Sequence, residues 1–268
     1  MLSYGTDPQN TVAGLTVAFA DGVLSLTLDR PDSLNSLTTP ILIGIADTLE
    51  TVADNKNVRL VRLRGAGHAF TSGVAISVDD FWGTGAATEV VEAARRVVRT
   101  IATTPCPVVA VVRGPAVGVG VSLALACDLV LAAEDAFFML AHTKIGLMPD
   151  GGASALIAAA IGRMRAMRMA LLPERLPAAD ALAWGLISAV YQAEDFEAEV
   201  DKVISRLLAG PPLAFNKTKV AINAATLTEL DSAFMRESHG QKVLLQSNDF
   251  AEGAAAFHQR RTPAFTGS

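Results

Sequence analysis

The chain has 268 residues, 51% of them hydrophobic, and a formal net charge of −5 at pH 7. This length and apolar content indicate one globular α/β domain, or one domain with a helical appendage. The acidic balance and the lack of a Lys or Arg run argue against nucleic acid as a main partner.

The same features bear on compartment and metal binding. The two cysteines, Cys106 and Cys127, lie in apolar contexts without metal-ligand spacing. We therefore expect reduced, buried, inert thiols and no metal site. The N-terminus lacks a basic start and an apolar segment, and no apolar run resembles a membrane span of roughly 18 residues. These features predict a soluble, cytoplasmic protein with no membrane partner.

The first elements along the chain are a loose arm, a hairpin, a helix and a strand. We expect residues 1–14 to form the arm. Leu15 to Leu28 alternates between apolar and polar residues and carries Asp21-Gly22 at its middle, which predicts a β-hairpin. The rest of this region is predicted as a helix over Pro40–Val52 capped by Thr38 or Thr39, a strand over Val58–Arg64 and a glycine-punctuated loop over Gly65–Gly73.

Strands and helices alternate through the middle of the chain, and helices alone complete it. This order predicts parallel βαβ units over residues 15–209, then a helical region over residues 210–268 that begins at Gly210-Pro211-Pro212. Short strands that recur after turns also fit a stacked spiral. The predicted strands are Pro107–Val112, Leu129–Ala132 and Ala136–Leu140, and the predicted helices are Glu89–Ala102, Ala153–Leu171, Ala178–Trp184, Glu197–Leu208, Leu213–Ala225, Thr228–Gln246 and Asp249–Arg260.

The stretch from Arg113 to Asp128, R-G-P-A-V-G-V-G-V-S-L-A-L-A-C-D, directly follows a predicted strand. A strand that feeds a glycine turn and an apolar helix places the first helical N–H groups at a chain reversal, without partners in the helix. Such a place can hold an anion, or an oxygen that becomes anionic during a reaction. Taken alone, a turn whose glycines only allow close packing is the simpler interpretation.

Five segments in this order resemble the crotonase family, the enoyl-CoA hydratase/isomerase superfamily, from about residue 15 to residue 265. They are R-P-D-S-L-N-S-L (Arg30–Leu37), G-A-G-H-A-F-T-S-G-V-A-I (Gly65–Ile76), Gly114–Asp128, I-G-L-M-P-D-G-G (Ile145–Gly152) and the tail Ser247–Phe265. The resemblance implies an α/β fold, a crotonase-like spiral of ββα units with a C-terminal helical region that forms trimers or hexamers. It also implies an acyl-CoA thioester as substrate, so that CoA belongs to the substrate and no separate cofactor is expected.

The resemblance further implies an oxyanion hole, formed by two backbone N–H groups around the thioester oxygen. In this chain the donors belong to Val74, after the loop glycine, and to Val119, in the G-V-G segment. Backbone donors do not depend on side-chain identity, so valine is compatible with both positions. The implied contacts to the CoA ester are Arg30, Leu34, Ser72, Gly73, Ala75, which stands where the family often has aspartate, Ile76 and Ser122.

The acid/base positions differ from those of the family's hydratases, which use two glutamates. Ser122 and His142 stand at these positions. Each positioned acid or base contributes about 10²–10⁴ in rate, so efficient hydration of a simple enoyl-CoA is not expected. Asp150, in P-D-G-G, matches the aspartate with which isomerases of the family move protons. The sequence therefore favours an enoyl-CoA isomerase with Asp150 as acid and base.

Alternatives stay open for each of these side chains. Asp150 precedes G-G-A-S and fits a helix cap as well. Ser122 fits simple helix packing, with its hydroxyl bonded to the preceding turn. His142 fits a structural role, or the base of a divergent hydratase, since a neutral imidazole accepts protons near pH 7. A non-catalytic acyl-CoA-binding protein is the remaining alternative.

Overall fold

A computed structural model describes residues 12–75 and 86–268, apart from the side chains of Ala86 and Ala87. The predicted arm lies almost entirely outside these residues, and so does Ile76. The strands are β1 (Leu15–Ala20), β2 (Val23–Leu28), β3 (Leu60–Gly65), β4 (Val108–Val112), β5 (Pro115–Val117), β6 (Leu129–Ala133), β7 (Phe137–Met139), β8 (Leu176–Pro177) and β9 (Ala189–Tyr191). The α-helices are α1 (Thr39–Glu50), α2 (Ala86–Thr103), α3 (Val119–Ala126), α4 (Ala153–Leu171), α5 (Ala178–Trp184), α6 (Phe196–Ala209), α7 (Pro212–Thr226), α8 (Leu230–Leu244) and α9 (Asn248–His258).

The larger sheet has six strands in the order β1-β2-β3-β4-β6-β9. Strands β1 and β2 are antiparallel, with Leu15 opposite Leu28, and each later pair in the sheet is parallel. The chain reverses at Asp21 and Gly22, whose φ angles are 50° and 83°. Positive φ at both central residues is what a two-residue hairpin turn requires, so the predicted hairpin is confirmed.

The smaller sheet contains β5, β7 and β8 in that order. Strand β4 of the larger sheet is followed at once by β5 of the smaller one, and β6 is followed in the same way by β7. In each pair, the first strand belongs to the larger sheet and the second to the smaller sheet, and a helix follows. This recurrence is the ββα spiral expected from the sequence, and it brings the turns after β5 and β7 to the same side of the molecule.

The core lies on both faces of the larger sheet. All five residues of β4 are buried, as expected for a parallel strand covered by helices on both sides. Alternate residues of β4 enter two apolar clusters. One cluster includes α1 and α2, and the other includes Phe196 and Val200 of α6. The β-branched run in the sequence therefore forms the centre of the fold.

Helix α7 is fastened to the core by a buried lysine. The Lys219 ammonium donates hydrogen bonds of 2.9 Å to the Asp128 carboxylate and 2.9 Å to the Ile101 carbonyl. The predicted boundary at Gly210 falls directly after α6. A separate helical region over residues 210–268 stays a prediction.

Two details of the predicted helices differ from the structure. Helix α4 is broken at Gly162, whose φ of 76° and ψ of 164° are not helical. Glycine adopts this conformation without the steric penalty of a Cβ atom, so the helix changes direction there. Thr38 does precede α1, but its side chain accepts no hydrogen bond from the helix. The Pro at the start of α1 removes one N–H that would otherwise need a partner.

Both cysteines are free and buried, as the sequence predicts. Burial raises the pKa of the Cys106 thiol to about 11 and raises the pKa of Cys127 as well. Thiolate is the reactive form of cysteine, so both side chains are poor nucleophiles. None of the helices within the described ranges has the length and apolar content needed to cross a membrane.

Candidate active site

Two loops meet at the end of the small sheet. Residues 71–75, here called the oxyanion loop, run beside β5 and the turn that follows it. The Thr71 N–H donates to the Pro115 carbonyl at 2.9 Å, and the Val117 N–H donates to the Thr71 carbonyl at 3.0 Å. These bonds join the two predicted oxyanion segments, although they lie more than forty positions apart in the sequence.

Two glycines allow the loops to touch. Gly73 and Gly118 have φ angles of 89° and 58°, in the region that favours glycine. A Cβ atom on Gly73 would lie 2.8 Å from the Val117 carbonyl oxygen and 3.7 Å from the Gly118 Cα atom. Any larger residue would therefore push the loops apart. The residues that follow these glycines, Val74 and Val119, are the predicted donors.

The N–H groups of Val74 and Val119 are both available to a ligand. Val119 is the first residue of α3, so its N–H has no partner within the helix. The Val74 N–H makes no hydrogen bond within residues 12–75 and 86–268. The structure therefore brings together the two segments that the resemblance assigns to an oxyanion hole, and neither donor has a partner among the described residues.

The oxyanion loop is supported from behind by buried polar groups. The Thr71 hydroxyl donates to the Asn35 carbonyl at 2.7 Å and accepts the Gly73 N–H at 3.1 Å. The Asn35 side chain donates to the Ala66 carbonyl at 2.8 Å and the Ala69 carbonyl at 2.7 Å. Asn35 and Thr71 were not among the predicted site residues. Their only sequence signal is that both lie within the motifs that carry the resemblance.

Several of the predicted CoA contacts make hydrogen bonds that support the oxyanion loop and the segment beside it, residues 30–37. The Arg30 guanidinium donates to the carbonyl and hydroxyl oxygens of Ser36 at 2.9 and 3.1 Å. The Ser72 N–H donates to the Leu34 carbonyl at 2.8 Å, and the Ala75 N–H donates to the Leu37 carbonyl at 2.9 Å. Contact between these residues and CoA stays a prediction.

His142 and Asp150 lie side by side beneath the turn at Gly118. His142 Nε2 is 3.4 Å from Asp150 Oδ1, and the two side chains are 9% and 6% exposed. A Cβ atom on Gly118 would lie 3.7 Å from His142 Cε1. The two acid/base candidates, weighed separately in the sequence, thus form one buried pair next to the Val119 donor.

A residue that sequence reasoning missed holds the other oxygen of Asp150. The Gln241 side-chain NH₂ of α8 donates to Asp150 Oδ2 at 2.8 Å and to the Met148 carbonyl at 3.0 Å. Asp150 Oδ1 has no hydrogen-bond partner among the described residues. The helix that carries Gln241 was predicted, but its periodicity does not show that a polar side chain reaches Asp150.

The helix cap is supplied by Glu237, also of α8, and not by Asp150. The Glu237 carboxylate accepts the N–H groups of Gly152 at 2.6 Å and Ser154 at 2.9 Å, at the start of α4. Burial raises the pKa of Glu237, the hydrogen bonds from Ser154 and the backbone oppose this, and the charge of Asp150 adds to the rise. The alternative of Asp150 as a side-chain helix cap is therefore wrong, because a distant carboxylate satisfies these donors.

Ser122 also differs from its predicted packing role. Its hydroxyl donates to the Asp150 backbone carbonyl at 2.8 Å, and not to the preceding turn of its own helix. The cause is proximity, since a Cβ atom on Gly151 would lie only 3.3 Å from Ser122 Cβ. Ser122 therefore ties α3 to the turn that carries Asp150.

Comparison with known proteins identifies the family. The family model described as enoyl-CoA hydratase/isomerase matches residues 18–268. The chain belongs to the enoyl-CoA hydratase/isomerase family. The recognition made from five sequence segments is confirmed, and so is the crotonase-like α/β fold.

Some relatives within the family are named isomerases and others are named hydratases. The 1,2-epoxyphenylacetyl-CoA isomerase of Escherichia coli (strain K12) is 36% identical over 250 residues, which cover 92% of this chain and 95% of that protein. The "Probable enoyl-CoA hydratase" of Rhodobacter capsulatus is 37% identical over 248 residues, which cover 92% and 96%. A solved enoyl-CoA hydratase from Mycobacterium avium subsp. paratuberculosis K-10 is 66% identical, with a TM-score of 0.89, and covers 96% of this chain and 100% of its own.

Proposed function

We propose that this family member is an enoyl-CoA isomerase that moves a double bond through a thioester enolate. The observation that carries the proposal is the buried Asp150 carboxylate beside the Val119 turn, one oxygen of which has no hydrogen-bond partner among the described residues. The two positions at which the family's hydratases place glutamates hold Ser122 and His142. Isomerisation needs one proton carrier, whereas syn addition of water needs a group for the water and another for the α-carbon.

The thioester is held by the Val74 and Val119 N–H groups. A thioester stabilises negative charge at its α-carbon poorly in water, so the enolate is the costly species. Two donors aimed at the oxygen lower that cost, and one such donor typically contributes ~3 kcal/mol in a site that excludes water. Both donors are backbone groups already fixed by the contact of the two loops, so little reorganisation is needed during the reaction.

The proton travels on the free oxygen of Asp150. With a 3-enoyl-CoA, Asp150 Oδ1 accepts a proton from C2, and the electron pair of the broken C–H bond enters a dienolate held at its oxygen. The protonated carboxyl then returns the same proton to C4, which leaves the conjugated 2-enoyl-CoA. His142 Nε2, at 3.4 Å from Oδ1, is placed to stabilise the carboxylate between the two steps.

A divergent hydratase is the second candidate, and the contact between His142 and Asp150 favours it. Two titratable side chains within 3.4 Å can divide the work of holding a water and protonating the α-carbon. In that reaction His142 would act as the base. The names of relatives do not separate the two reactions, because hydratases and isomerases share the fold.

A substrate panel separates the candidates. We expect the protein to convert 3-enoyl-CoA or dienoyl-CoA esters and to hydrate crotonyl-CoA poorly. Asp150→Asn should lower kcat for isomerisation by about 10²–10⁴, since it removes the proton carrier. Efficient hydration that depends on His142, with no double-bond movement, would instead identify the hydratase. Tight binding of the panel without turnover would identify a non-catalytic acyl-CoA-binding protein.

We also propose that the protein assembles as a trimer, or as a hexamer of two trimers, and acts in the cytoplasm. Large apolar side chains on its C-terminal half are exposed in the single chain, which is typical of surface that another subunit covers. They include Met164, Met167, Leu171, Leu172, Leu213, Val220, Ile222, Met235, Val243 and Phe257.

A further inference from the structure

We infer that Gln241 is a positioning residue that decides which oxygen of Asp150 carries the proton. The inference rests on the proposed role of Asp150 and deepens it. Gln241 lies on α8, ninety-one positions after Asp150, and is 2% exposed. It does not reach the reacting atoms itself, and it acts through the carboxylate.

The chemistry of its partners sets the orientation of the Gln241 amide. Asp150 Oδ2, at 2.8 Å, and the Met148 carbonyl oxygen, at 3.0 Å, lie next to the same amide atom. A carbonyl oxygen can only accept a hydrogen bond, and an ionised carboxylate can only accept one too. The amide atom between them must therefore be the NH₂ group. The Gln241 carbonyl oxygen is left buried without a partner among the described residues.

This arrangement makes the two oxygens of Asp150 unequal. Oδ2 is held by a buried donor and cannot turn without breaking that hydrogen bond. Oδ1 faces His142 and accepts no hydrogen bond from the described part of the chain. A carboxylate locked at one oxygen presents the other in a single direction. Oδ1 is therefore the oxygen left to carry the proton, and Gln241 keeps its direction fixed.

Helix α8 packs against the turn that carries Asp150 and bonds to it at two positions. Glu237 and Gln241 are four residues apart, on one face of the helix, and hold the residues after and before the turn respectively. Between them, a Cβ atom on Gly240 would lie 2.3 Å from Met148 Sδ, so a larger residue would require the Met148 side chain to move. The titratable groups that face Asp150 are His142 on one side and Glu237 on the other.

The test uses two variants that keep the shape of Gln241 but remove its donors. Gln241→Met and Gln241→Leu place side chains of similar size there, and neither carries a hydrogen-bonding group. We expect both to lower kcat for 3-enoyl-CoA isomerisation about 10- to 100-fold, as small misplacements of a catalytic group do, with KM within about twofold. Ser238→Ala, which removes a hydroxyl of the same helix bonded to Glu92, is the matched control and should keep kcat.

A binding probe separates positioning from general damage. Bound cinnamoyl-CoA should show a red shift of its absorption band when the thioester oxygen is polarised by the two N–H donors, whatever happens at Asp150. The Gln241 variants should keep this shift. Normal kcat in both variants overturns the inference, and so does a loss of the shift together with kcat. If Asp150→Asn keeps full kcat, the proposed function itself fails. If only the Asp150 variant loses activity, the role of Gln241 alone is wrong.

Discussion

A single hydroxyl group links the parts of the oxyanion hole at the scale of residues. The Thr71 hydroxyl accepts the Gly73 N–H and donates to the Asn35 carbonyl, while the Thr71 backbone pairs with Pro115 and Val117. The hydroxyl therefore satisfies the Gly73 N–H, directly before Val74, whose N–H is the proposed donor to a ligand. A buried donor that loses its partner costs about 1–3 kcal/mol, so this hydroxyl also matters for stability.

Thr71→Val removes the hydroxyl and keeps the shape of the side chain. We expect kcat to fall about tenfold, because the Val74 donor is no longer held against the enolate oxygen, and we expect the free energy of unfolding to fall by about 1–3 kcal/mol. The red shift of bound cinnamoyl-CoA should shrink as well. Thr71→Ser restores the hydroxyl and should restore the shift. If the valine variant shows the same shift as the natural protein, the Thr71 hydroxyl does not hold the Val74 N–H in position.

The C-terminal helices matter at the scale of elements, because they reach into the core with charged and polar side chains. Helix α7 does so through the bond from Lys219 to Asp128, whose side chains are 7% and 23% exposed. Burial raises the pKa of Asp128, and the positive charge and hydrogen bond of Lys219 oppose that rise. A buried pair of this kind is costly to break at one partner, because the other charge is then left without compensation.

Lys219→Met should lower the free energy of unfolding by about 3 kcal/mol at neutral pH. The folded-state pKa of Asp128 lies above its ordinary value of 3.8, so the protonated carboxyl favours the folded state and stability is lost as the pH rises through the folded pKa. Without Lys219 the loss of stability with rising pH is larger. The difference in free energy of unfolding between the variant and the natural protein should therefore be smaller at acidic pH. Thermal unfolding across pH measures it. Adding Asp128→Asn to Lys219→Met should recover part of the lost stability. A difference in stability that does not change with pH would contradict this prediction.

At the scale of the whole molecule, the exposed apolar side chains are the surface that the proposed assembly of several copies would cover. On α4, Met164, Met167 and Leu171 are 74%, 40% and 61% exposed and stand three and seven positions apart, which places them on one face. Burial of such a face against other copies removes apolar surface from water at roughly 25 cal/mol per Å². Closed rotational symmetry is the usual way in which copies of one chain achieve this.

Light scattering after size exclusion should give a mass of about 84 kDa, three times the 28.0 kDa of one chain, or twice that value for a hexamer. The double variant Met164→Asp and Leu171→Asp should shift the mass towards that of a single chain, because it places charges on the face to be covered. The exposed pair Arg163→Ala and Glu174→Ala serves as control. A natural protein that stays at the mass of one chain at every concentration would contradict the prediction.

The sequence by itself determined the order of the helices and of most strands, but it did not show β5, β8 and β9. The hairpin at Asp21-Gly22, the buried β4 and the unpaired N–H groups at the start of α3 follow from local rules: positive φ, strand periodicity and the geometry of a helix start. The assignment of Val74 and Val119 as donors rests on the family resemblance and stays a prediction. Only the tertiary structure decided which side chains surround Asp150. Gln241, Glu237 and Ser122 reach the Asp150 turn from two other helices, and a pattern within one helix cannot show what lies opposite its buried polar residues. The hairpin and the start of α3 were predictable because backbone geometry is local, whereas the setting of the carboxylate depends on how distant helices pack.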